Sequence, residues 1–227
     1  MTTRSFLLLA CLLVSLAVGT RAAAAPLPSL DSNELAEGPY SSMHMLLEKT
    51  FLKIDVLTVD MRFGKEIHPR LVQLARGNAY SDALGDQVAQ VAIGADDALI
   101  QLRFVRDVAF DQWTDSVREN LQQVRAAGLI TAKVQQQVSQ GLPQWFAPLR
   151  KRGYKENDRF LYRVRPDSVR TAVVAADGKV LVDRTEKDEH APRVVMAGYF
   201  APGTDFREPL VRSLFEPESE DQVRANR

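Results

Sequence analysis

Cysteine is almost missing from this chain: Cys11 is the only one in 227 residues. It lies inside an apolar N-terminal run, so beyond that run there is neither disulfide nor thiol chemistry, and the fold must hold by its core alone. Histidine is scarce too. His44, His68 and His190 stand far apart with no ligand spacing, which leaves a metal site unsupported. No G-x-G-x-x-G, no P-loop and no H-E-x-x-H occurs, so no cofactor is indicated. No serine sits in a nucleophile elbow. Nor is there an excess of charge of either sign, with 29 basic and 29 acidic residues. That balance gives no hint of a nucleic-acid partner, which calls for a concentrated basic face.

What is present begins with a leader. Arg4 precedes an apolar run over residues 6–18, relieved only by Ser15, and Ala22 to Ala25 follow. This order of charge, apolar core and small residues predicts a signal peptide over residues 1–24, cleaved after Ala24, and a periplasmic or secreted mature chain. The run is shorter than the roughly 17–25 residues that span a bilayer, so no integral membrane segment is expected after processing. Leu8, Leu9, Ala10 and Cys11 also form a lipobox, but most of the apolar run lies after Cys11, which argues against lipidation there. Without Arg4 and Arg21 the mature chain has 27 basic and 29 acidic residues, a net charge of −2.

Residues 25–44 are rich in Pro, Ser and Gly and read as a lead-in; residues 216–227 read as a disordered tail. The domain proper is expected over residues 45–215. In residues 45–63, Leu52, Ile54 and Val56 alternate with polar residues, and the phase then flips to Leu57, Val59, Met61 and Phe63. The flip predicts a β-bulge near Val56 and Leu57, or two strands meeting there. Helices are expected over residues 68–75 and from the Ser81 N-cap to Ile93. A strand follows with Ala98, Ile100, Leu102 and Phe104 on one side. Asp111 is read as the cap of a helix whose stripe is Trp113, Val117, Leu121 and Val124, ended by Gly128. Residues 131–140 form another helix, and Pro143 starts a further turn. Residues 160–164 and the hairpin around Asp177 and Gly178 are strands, residues 194–200 one more, and Asp205 caps a last helix. The element order predicts an α+β fold, a sheet with helices packed on one face.

Three residues here, Arg106, Tyr162 and Trp145, are candidates for a ligand site. Arg106 follows Ile100, Leu102 and Phe104 in phase, so a guanidinium lies on an apolar strand face. Being permanently charged, it needs an anionic partner, either a buried acid of the chain or the carboxylate of a ligand. The alternative is that the strand bends there. Tyr162 lies in the apolar phase of its strand, and Trp145 and Phe146 read as core between helix and sheet. Arg150, Lys151, Arg152 and Lys155 read as a solvated face at a helix C-terminus.

Several segments together resemble a known family. Leu102-Arg-Phe-Val-Arg-Asp107 runs into a helix with Trp113 and then Arg118-Glu-Asn-Leu121; later come Asn157-Asp158, the Asp177-Gly178 hairpin, and Asp205-Phe206-Arg207 opening a helix that ends at Leu214-Phe215. In element order and short motifs this resembles the exported bacterial branch of the chalcone isomerase-like family. The resemblance implies an open-faced β-sandwich, a large antiparallel sheet covered on one face by helices. It implies either cyclisation of chalcones or, in non-catalytic members, fatty-acid binding. The family's site arginine and its polar partner fall on Leu47 and Leu57, with Lys49 and Lys53 the nearby cations. No catalytic residue therefore carries over, and Arg106, Lys53, Tyr162 and Trp145 are the candidate ligand-binding residues. The expectation is a non-catalytic domain that binds a small apolar or amphipathic ligand such as a fatty acid. The alternatives are an isomerase or lyase acting on an unsaturated carbonyl compound, and a protein-binding domain whose partner the sequence does not name.

Overall fold

A computed structural model describes residues 40–49 and 54–216. The expected leader, most of the lead-in, Lys53 and all of the tail but Glu216 lie outside the described residues.

Six strands form one antiparallel sheet in simple meander order. They are β1 (Ser41–Lys49), β2 (Ile54–Phe63), β3 (Ala98–Phe104), β4 (Arg159–Arg165), β5 (Ser168–Val174) and β6 (Val180–Lys187). Between and after them come α1 (His68–Ala75), α2 (Asp82–Ile93), α3 (Phe110–Ala126), α4 (Ala132–Trp145), a short 3-10 turn (Ala147–Leu149), α5 (Ala191–Phe200) and α6 (Arg207–Ser213). The expected α+β architecture, a large antiparallel sheet with helices over one face, is the one observed.

Residues paired across strands share a face, so the register reads out the covered side in rows. One row is Met45, Val59, Leu102, Phe160, Val173 and Val182. The next is Met43, Met61, Ile100, Tyr162, Thr171 and Arg184. Most of these side chains belong to the main core cluster together with residues of the helices. The opposite face carries Thr58, Asp60, Arg62, Gln101, Arg103 and Arg170, with a small apolar cluster of Leu161, Ala172 and Val174.

The phase flip at Val56 is a β-bulge inside β2, and no two strands meet there. β1 and β2 are separate strands paired antiparallel, and Leu47 faces Leu57 while Glu48 faces Asp55, so Val56 is an extra residue in β2. The bulge lets both Val56 and Leu57 be buried. β1 starts at Ser41, ahead of the expected start of the domain. Its edge is covered by α6, where the Ser213 hydroxyl accepts the His44 N–H at 2.9 Å.

Helix starts follow the expected chemistry at two places. The Ser81 hydroxyl accepts the Leu84 N–H at 3.4 Å, and the Thr131 hydroxyl accepts the Val134 N–H at 3.2 Å. Elsewhere the reading is corrected. Ala109 and Phe206 hold the N-cap positions of α3 and α6 with no side-chain cap, so neither Asp111 nor Asp205 is the cap. Asp111 sits in the first turn instead, where its carboxylate still complements the helix dipole. Pro143 lies inside α4 rather than starting a new turn. Residues 194–200 are helix, part of α5, not strand. A short apolar run fits a buried helix as well as a strand, and here Pro192 in the first turn sets the helical start.

Candidate functional site

Between the sheet and helices α3, α4 and α5 lies a cavity of about 640 Å³, within the range of roughly 300–1,000 Å³ typical of small-molecule sites. Its lining changes character across the sheet. Over β1–β3 it is apolar: Leu47, Val56, Leu57, Leu102 and Phe104, with Val108 just beyond. Over β4–β6 polar groups enter: Tyr162, Thr171, Arg184 and Glu186. Tyr162, Thr171 and Arg184 are direct cross-strand neighbours on the covered face, so they form one polar row. The cavity is thus amphipathic along the direction that crosses the strands.

The helical wall follows from the α3 stripe. Trp113, Val117 and Leu121 recur on one face and all line the cavity. Trp113 packs edge-on against Phe146 with ring centres 4.8 Å apart, and lies 6.0 Å from Phe160 on the sheet. Such tilted aromatic pairs fix the wall beyond simple burial. From α4 come Val134, Val138, Leu142 and Trp145. Trp145 owes its position to a glycine one turn earlier: a Cβ on Gly141 would stand 2.2 Å from the indole ring. From α5 come Val194, Val195, Gly198 and Tyr199.

Arg184 ties the polar end together. Its guanidinium lies 4.2 Å from the centre of the Trp145 ring and donates to Glu186 at 2.5 Å. Its other N–H groups make no hydrogen bond among the described residues. Burial raises the pKa of the Tyr162 hydroxyl, with Arg184 acting weakly the other way. Burial also pushes Tyr199 well up, and nearby Tyr162 adds to this. Both phenols stay neutral hydrogen-bond donors at any working pH.

The four candidate residues are placed differently. Tyr162 and Trp145 both line the cavity, and Phe146 lines it beside them. Arg106 does not. β3 ends at Phe104, and the chain bends through Val105 and Arg106 before Val108 pairs with Tyr154. The apolar phase of the strand is therefore not continued to Arg106, whose buried Nε has no hydrogen-bond partner among the described residues. Lys53 lies outside the described residues. Leu47 and Leu57, the positions matched to the family's polar pair, face each other across β1 and β2 and form the apolar end of the cavity.

Sequence reasoning missed Arg184, Glu186, Tyr199 and Asn120. The signal for the first two was there: Val182, Arg184 and Glu186 continue one phase of β6. Of the basic cluster after α4, Arg152 is not simply solvated. It pairs with the fully buried Asp158, which also accepts the N–H groups of Lys155 at 2.8 Å and Ala176 at 3.2 Å.

No family model matches this chain, and no curated protein matches it. Among solved structures, a fatty-acid binding protein of Arabidopsis thaliana aligns with it over 82% of this chain and 86% of that one, at a TM-score of 0.46 and 13% sequence identity.

Proposed function

We propose that this chain is a non-catalytic binding protein that holds one small amphipathic molecule between its sheet and helices α3–α5, of the kind found in the chalcone isomerase-like family. The observation that carries the reading is the lining of the cavity, apolar over β1–β3 and polar at Tyr162, Thr171 and Arg184. A ligand with an apolar body and one polar end matches that gradient, and a long-chain fatty acid has this form. Its chain would lie over Leu57, Leu102 and Phe104, and its carboxylate would meet Arg184. A guanidinium with free N–H groups donates charge-assisted hydrogen bonds to a carboxylate. Trp145 would cover the polar end and Trp113 the body.

Catalysis does not fit as well. An isomerase that develops an oxyanion needs a positioned electrophile beside it. At the two positions the resemblance assigns to such groups stand Leu47 and Leu57. Export is part of the proposal and rests on the leader sequence of residues 1–24. The test is native mass spectrometry of the protein purified from its own cells. The reading expects a retained amphipathic small molecule and a mature chain starting near Ala25. A chain that never retains a ligand and takes up none of a panel of fatty acids, alcohols and phenols would contradict it.

A further inference from the structure

The cavity contains more polarity than one terminal group requires. Tyr199 on α5 is 7% exposed, and its hydroxyl makes no hydrogen bond among the described residues. Tyr162, half-buried on β4, likewise makes no hydrogen bond among the described residues, and α5 packs on the neighbouring β5. Both line the cavity. Next to Tyr199, Asn120 of α3 donates through Nδ2 to the Gly198 carbonyl at 2.7 Å. That bond fixes the amide and leaves the buried Oδ1 as an acceptor with no partner. Buried polar groups left unpaired are costly, and an apolar ligand surface would leave all three so.

Resting on the reading of the cavity as a ligand site, we propose that Tyr162, Tyr199 and Asn120 form an oxygen-binding subsite for a hydroxyl group on the body of the ligand. Two phenol donors and one amide acceptor suit a hydroxyl, which accepts and donates at once. A plain hydrocarbon chain offers neither. The preferred ligand is therefore an oxygenated amphiphile, with its terminal polar group at Arg184 and a second oxygen between Tyr162 and Tyr199. Sites built to bond a hydroxyl discriminate strongly against the analogue that lacks it.

The test compares octadecanoic acid with its mid-chain monohydroxy derivative, each titrated calorimetrically into the wild type, Tyr199→Phe and Tyr162→Phe. Melting curves check that each variant is folded. The subsite predicts that the wild type prefers the hydroxy acid by about tenfold or more, the yield of two or three net hydrogen bonds. The preference should shrink to about twofold in either variant. Equal binding of both acids by the wild type would overturn the subsite and leave the cavity reading standing. Binding of neither acid would overturn both.

Discussion

The guanidinium of Arg184, on the last strand, lies 4.2 Å from the centre of the Trp145 ring at the end of α4. Sheet and helix layers thus meet over the polar end of the cavity through a cation on an aromatic face, an arrangement that is favourable even where partly solvated. Arg184→Met keeps an apolar contact with Trp145 and removes the charge. Losing hydrogen bonds to a charged group costs about 1.5–3 kcal/mol, so affinity for a fatty acid should fall about tenfold or more. Affinity for the corresponding fatty alcohol should change little. Calorimetric titration of both ligands reads the difference, and equal losses for acid and alcohol would show that Arg184 is structural.

Ring closure of a hydroxychalcone should not exceed background. Leu47 and Leu57 face each other at the apolar end of the cavity, and neither can polarise a carbonyl. Absorbance of the chalcone followed over time checks this. Turnover that Arg184→Met abolished would show instead that the polar row is catalytic.

Arg152 and Asp158 hold the turn that leads into β4. Burial alone would raise the Asp158 pKa, but the hydrogen bonds from Arg152 and from the Lys155 and Ala176 N–H groups outweigh it and hold the carboxyl below its usual range. A carboxyl whose pKa is lower in the folded state stabilises fully above its unfolded value of about 3.9. That contribution is lost as pH falls through the folded pKa. Melting temperature should therefore drop as pH falls from about 4. Arg152→Ala leaves a buried carboxylate without its partner and should cost about 3–5 kcal/mol. It should also flatten the acid limb of the stability curve. Chemical denaturation at neutral and acid pH measures both.

Tyr154 offers a change of the opposite sign. It is fully buried and stacked on Phe104 at 4.3 Å, and its hydroxyl has no hydrogen-bond partner among the described residues. Leaving a buried polar group unpaired costs about 1–3 kcal/mol. Tyr154→Phe keeps the stack and removes the orphan, so it should raise stability by about 1 kcal/mol. A loss of stability in a denaturant titration would mean that the hydroxyl finds a partner in solution.

Much of the sheet was legible because a half-buried strand alternates. Ala98, Ile100, Leu102 and Phe104 gave the inward face of β3, and the phase flip gave the bulge at Val56. Glycine and capping chemistry marked Ser81 and Gly178, the latter at φ +87° in the β5–β6 turn. Arg184 escapes a reading by pattern because the charged run from Asp183 onward suggests solvent. In the fold the inward phase continues into the cavity, which is where a charged residue can follow an apolar one. Tyr199 was hidden by the Val194-Val195-Met196 run, whose composition suits a strand but which forms a helix buried on more than one side. The placement of Arg106 failed for a related reason. Phase predicts a face only while the strand lasts, and β3 stops at Phe104.

The chain has two tryptophans, and both line the cavity. Intrinsic fluorescence titrated with octadecanoic acid therefore reports directly on whether the cavity is a ligand site. Occupancy should give a saturable change with a stoichiometry of one, and the change should be lost when Val138→Trp fills the cavity of an otherwise folded variant and calorimetry shows no heat. A wild-type signal that stays flat through the titration, with no calorimetric heat for the acid, the alcohol or the hydroxy acid, would contradict the account.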